Sequence, residues 1–179
     1  MGESIEKVSR LGGVDGTTCD WGVEISCAPI HMLDEKDLHQ IGKHLVNSQV
    51  VVIRDQKNLD PYALRKLCHT LGDVEGYDLG DGSGIEDPRL KQMYFDFKAA
   101  PGVLRVTGKL KDNGGVTGFF GHNSELDWHC NKASLASRHS YVTLYSVYGS
   151  EGSKTSWLDT TQAYADLPDE KKRYYKTLS

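Results

Sequence analysis

The chain has 179 residues, of which 26% are charged and 38% hydrophobic, with a formal net charge of -4. This is the make-up of one globular domain with a real core. The charge gives no footprint for nucleic acid, and no apolar run approaches the roughly 20 residues that a membrane-spanning helix needs. Residues Met1 to Lys7 lack the apolar stretch of a signal peptide, and Gly2 lacks the downstream Ser or Thr of a myristoylation site. Cys19, Cys27, Cys68 and Cys130 are scattered without a Cys-X-X-Cys pair, which argues against a zinc knuckle or redox dithiol. Reduced thiols and a cytoplasmic location are expected.

In chain order, Leu11 to Gly16 is turn-rich and leads into a short strand around Gly22–Ile25. A first helix is expected behind the N-cap Asp34, with Leu38, Ile41 and Leu45 at helical spacing. The β-branched run Gln49–Arg54 then predicts a buried strand. Asp60-Pro61 opens a second helix with Leu64, Leu67 and Leu71 toward the core, and Gly72 stops it. Residues 76–88 and 109–125 are rich in Gly and polar residues, and both are expected to be mobile loops beside the site. Strands are expected at Val103–Val106, around Trp128-His129, at Tyr141–Val147 and at Thr155–Leu158. Asp159 caps a helix carrying Ala163, Tyr164 and Leu167. A last amphipathic helix starts at Pro168-Asp169-Glu170 and is expected to run to the final residue without a stop signal.

The stretch Leu126-Asp127-Trp128-His129-Cys130-Asn131 carries the strongest chemical signal. Alternate residues of a strand share a face, so His129 and Asn131 are able to converge on one metal ion. A His-X-carboxylate pair is two thirds of the facial triad that holds non-heme Fe(II) with open positions. Here the second residue is Asn. Its amide oxygen coordinates without charge, more weakly than a carboxylate, and leaves more of the metal's charge unbalanced. Asp127, also two residues from His129, is an alternative carboxylate. A plain core or surface histidine is the competing reading of His129, and Trp128 is expected to pack beneath the site.

Several segments together resemble the TauD/TfdA family of Fe(II)- and 2-oxoglutarate-dependent dioxygenases. The stretch His44 to Gln56 is similar to the family's early helix-to-strand passage ending in Arg-Asp-Gln. Leu67 to Gly72 resembles a helix end closing on Gly. Trp128-His129-Cys130-Asn131 falls where the family has Trp-His-X-Asp, and Gly152-Ser153-Lys154-Thr155 where it has Gly-Gly-Asp-Thr. Ala163 to Pro168 resembles the following Ala-Tyr-X-X-Leu helix. The order and spacing of these pieces cover the chain from about Gly22 to Leu167.

The resemblance implies an α+β, mainly β fold: a double-stranded β-helix (jelly roll, clavaminate synthase-like) with flanking helices, built as a single domain over 1–179. It implies His129 and Asn131 as metal positions for Fe(II), and Thr155 as a contact to the cosubstrate 2-oxoglutarate. Thr155 read by itself is also an ordinary strand residue. Glu125, with His122 and Asn123 in the same loop, falls where some relatives contact substrate, and a carboxylate there suits a cationic or amine-bearing small molecule. A solvated loop glutamate is the alternative. The implied activity is hydroxylation of a small organic substrate with decarboxylation of 2-oxoglutarate to succinate. Asn fills the space that halogenating relatives leave open for a halide, so halogenation is not expected.

The family's third ligand is a late His followed by an Arg that binds the far carboxylate of 2-oxoglutarate. No His follows His139 here, and Arg173 falls in a surface helix. The expectation is therefore an incomplete jelly roll, truncated at the C-terminus, that forms a homo-oligomer or is completed by a missing C-terminal half, since unpaired strand edges seek partners. The alternatives are a catalytically inactive jelly-roll binding or scaffold protein, or a fragment of a longer oxygenase. No nucleic-acid or membrane partner is expected.

Overall fold

The structure is a computed structural model that describes residues 5–12, 18–74, 103, 127–131, 140–147, 152 and 154–178. The chain divides into two compact units, Met1–Tyr145 and Ser146–Ser179.

The first unit is built on a mixed three-stranded sheet of order β1-β2-β3. Strand β1 (Ile5–Gly12) pairs antiparallel with β2 (Thr18–Cys27), with Ile5 opposite Cys27, Val8 opposite Ile25 and Arg10 opposite Val23. The register shifts between Ile5 and Lys7 and again between Arg10 and Gly12, as bulges do. Strand β3 (Val51–Ile53) pairs parallel with β2, placing Val23 opposite Val51 and Ile25 opposite Ile53. The sequence anticipated only Gly22–Ile25 in this region and placed a turn at Leu11. In the structure Leu11 and Gly12 finish β1, and β2 runs ten residues. Gly22 is needed where it stands. Its φ is +84°, and a Cβ there would come within 2.9 Å of the Leu11 side chain.

One helix packs on the sheet and a second packs on that helix and on a 3-10 turn. Helix α1 (Glu35–Ser48) is capped by Asp34, whose carboxylate accepts from the Asp37 N–H at 2.9 Å. It ends at Gln49, held at φ +65° with its N–H donating to Leu45. Helix α2 (Pro61–Leu71) repeats the arrangement: Asp60 accepts from the Ala63 N–H, Pro occupies the first turn and Gly72 follows the last. A 3-10 turn at Ile30–Met32 leads into α1. The core is Ile5, Ile25, Ile30, Leu33, Leu38, Ile41, Leu59, Ala63 and Leu67, with Ile25 and Leu38 fully buried. Leu38, Ile41 and Leu67 were anticipated as core; Leu45, Leu64 and Leu71 are half-buried, and Ala63 takes the inner place on α2.

The second unit contains helix α3 (Thr160–Ala165) and helix α4 (Asp169–Tyr175). Asp159 caps α3 by accepting from Thr161 and Gln162, and the Lys172 ammonium donates to the Ala165 carbonyl at its other end. The last helix does not run to the chain end. It stops at Tyr175, and both the main-chain N–H and the hydroxyl of Thr177 donate to the Tyr174 carbonyl. A Thr side chain that bonds the backbone competes with helical pairing.

Two other expected strands also differ. Tyr141–Val147 and Lys154–Asp159 form no strand ladder among the described residues. Of the strand expected at Val103–Val106, only Val103 is described. The loops at 76–88 and 109–125 lie outside the described residues. Among the described residues no helix is long and apolar enough to cross a membrane.

Candidate metal centre

The segment Asp127–Asn131 belongs to the first unit and is a bend leading into a turn, not the strand its sequence suggested. All five residues are exposed, and Trp128, expected beneath the site, is 70% exposed. The alternation argument that placed His129 and Asn131 on one strand face therefore does not apply. The chain instead follows a tight local path here.

That path prepares the imidazole. His129 Nδ1 lies 2.7 Å from the main-chain oxygen of Asp127. A carbonyl only accepts, so Nδ1 carries a proton in this bond, and the neutral tautomer that matches it has its lone pair on Nε2. Metal-binding histidines are commonly oriented by such a bond through the other ring nitrogen. It is thus the main-chain oxygen of Asp127, rather than its carboxylate, that acts on His129. Beside it, the Cys130 thiol donates to the Asn131 carbonyl at 3.7 Å.

Thr155 belongs to the second unit and lies exposed in an extended stretch without strand pairing. Three residues before it, Gly152 has φ +77°, a turn conformation suited to glycine, in the place where a glycine turn was expected. Glu125, His122 and Asn123 lie outside the described residues. Among the described residues no group of three or more His, Cys, Asp and Glu side chains is placed to hold a metal ion.

A feature that sequence reasoning left unassigned lies in the loop after β3. The Gln56 side chain accepts from the Ile30 N–H at 2.7 Å and donates to the carbonyls of Arg54 at 3.1 Å and Ala28 at 3.5 Å. The Tyr145 hydroxyl donates to the Gln56 carbonyl at 2.9 Å and accepts from the Leu59 N–H at 3.1 Å. The available signal was the turn-forming composition of Asp55 to Asn58, flanking a glutamine.

Residues 10–179 match the family described as "Taurine catabolism dioxygenase TauD, TfdA family". No curated protein and no solved structure matches the chain.

Proposed function

Since the chain belongs to the taurine catabolism dioxygenase TauD, TfdA family, we propose that it is a non-heme Fe(II)- and 2-oxoglutarate-dependent oxygenase acting on a small organic substrate. The net reaction joins substrate C–H, dioxygen and 2-oxoglutarate to give the alcohol, succinate and carbon dioxide. The observation that carries this reading is the His129 imidazole, fixed through Nδ1 by the Asp127 carbonyl so that Nε2 is the free donor. In this reading His129 and Asn131 hold the metal and Thr155 contacts the cosubstrate, within a jelly roll of which the described sheet and helices form the N-terminal part. Bound Fe(II) supplies the redox chemistry that couples decarboxylation to hydroxylation. The protein's part is to orient the ring, present the amide oxygen and hold the cosubstrate's carboxylate through the Thr155 hydroxyl.

The second reading is a catalytically inactive jelly-roll binding or scaffold protein. It is favoured by Asn131, which gives the metal no charge compensation. Anaerobic titration with Fe(II), with and without 2-oxoglutarate, separates the two. The oxygenase reading expects a visible charge-transfer band that needs both additions and disappears in His129→Ala. A protein that takes up neither metal nor keto acid would support the scaffold.

A further inference from the structure

The first unit ends in the stretch Tyr141–Tyr145. Along Val142–Tyr145 burial alternates: Thr143 and Tyr145 are half-buried, whereas Val142 and Leu144 are exposed. The period of two is that of an extended chain, so Tyr141, Thr143 and Tyr145 fall on one face. Each of the three meets the first unit. Tyr141 lines a groove with Gly42 and Val46 of α1 and Thr70 and Leu71 of α2. The Cys68 thiol of α2 donates to the Thr143 hydroxyl at 3.4 Å. The Tyr145 ring packs against the core, and its hydroxyl bridges the Gln56 carbonyl and the Leu59 N–H.

The two sides of this contact are not equally firm. The loop that receives Tyr145 is fixed independently of it. The Gln56 side chain bonds to the main chain of Ile30, Ala28 and Arg54, and Leu59 is buried in the core. Cys68 stands on α2, which Ala63 and Leu67 anchor in the same core. Tyr141–Tyr145, by contrast, forms no strand ladder among the described residues. Its described ties are the Tyr145 ring, the two bonds of the Tyr145 hydroxyl and the bond from Cys68, and a thiol is a weak donor. Segments with few buried apolar contacts open at lower free energy than the core they rest on.

We propose that Tyr141–Tyr145 is a latched strap, which opens as a single piece while the sheet, α1 and α2 stay folded. The Tyr145 hydroxyl is the latch, since it uses both its donor and its acceptor on the fixed loop. Release uncovers the Cys68 thiol and takes away the Tyr141 wall of the groove between α1 and α2. The strap and everything it rests on belong to the first unit, so the device stands whichever reading of His129 and Asn131 holds.

Amide hydrogen exchange and alkylation of Cys68, followed together in the full chain at low urea concentrations, test the strap. Local opening exposes little surface and responds weakly to urea, whereas global unfolding carries the full slope. The Leu59 amide and the Cys68 thiol are expected to open more often than the Leu38 amide of the core, and with little urea dependence. A urea slope shared with Leu38 would overturn local opening. Tyr145→Phe keeps the ring and deletes the hydroxyl. It is expected to speed alkylation of Cys68, whose own partner is Thr143, by roughly three- to tenfold, the worth of one or two hydrogen bonds. Thr143→Val deletes the hydroxyl beside Cys68 and is expected to speed exchange at the distant Leu59 amide by roughly twofold, the smaller worth of a thiol bond. If each variant loosens only its own neighbour, Leu59 for Tyr145→Phe and Cys68 for Thr143→Val, the stretch is two separate contacts and the single-piece strap is overturned.

Discussion

Nδ1 of His129 and the main-chain oxygen of Asp127 are 2.7 Å apart, a bond that closes the bend around Trp128 and settles which ring nitrogen faces outward. In the proposed oxygenase the weak ligand lies two residues on, in the uncharged amide of Asn131. Asn131→Asp restores a carboxylate at that position. It is expected to tighten Fe(II) binding by about tenfold or more, because affinity for divalent ions follows the charge of the ligand set. Isothermal titration under anaerobic conditions checks this; an unchanged constant would mean that residue 131 does not face the metal.

The core makes a separate prediction. Leu38 is fully buried on α1 among Ile25, Ile41 and Leu67 in the same cluster. Leu38→Ala is expected to destabilise the first unit by about 2–5 kcal/mol, through lost burial and the space left behind. Urea unfolding followed by circular dichroism measures it, and a loss below about 1 kcal/mol would show that the site collapses around the smaller side chain.

Cys27 makes a prediction about pH. Burial pushes its thiol above the ordinary value, and the carboxylates of Asp37 and Glu6 push it the same way. The folded chain therefore keeps a proton that the unfolded chain gives up. The stabilisation is fully present below the ordinary thiol pKa and is lost as pH rises through the raised one. Between about pH 7 and pH 10, spanning ordinary thiol ionisation, wild type is expected to lose more stability than Cys27→Ala. Parallel losses in the two proteins would assign the effect to other groups. The same shift makes Cys27 slower than the exposed Cys130 toward alkylating reagents.

What the sequence disclosed well were the features decided locally. Asp34, Asp60 and Asp159 each cap the helix expected of them, because a cap is a contract between residues two or three apart. The β-branched run at Val51–Ile53 became a strand for a similar reason. Strand β1 was hidden because Glu6, Lys7 and Arg10 break any apolar alternation and most of its residues are exposed. The bend at Asp127–Asn131 was mistaken for a strand because the i, i+2 spacing of His129 and Asn131 suits strand alternation, and the exposure of Trp128 was not visible in its identity. Gln56 and Tyr145, 89 residues apart, meet only through the tertiary fold. The roles of His129, Asn131 and Thr155 came from resemblance, and the structure adds the orientation of one ring.

Strands β2 and β3 run side by side in the same direction, so the chain has to travel the full length of α1 before it returns to the sheet. A hairpin would have joined them in a few residues; a parallel pair needs a long crossover. One consequence concerns proteolysis. A single cut within Glu35–Ser48 would sever the third strand, and everything after it, from the β1–β2 ribbon, leaving the two pieces to be held by noncovalent ties: their ladder, their shared apolar surface, the Gln56 bonds to Ala28 and Ile30 and the Arg54–Glu24 ion pair.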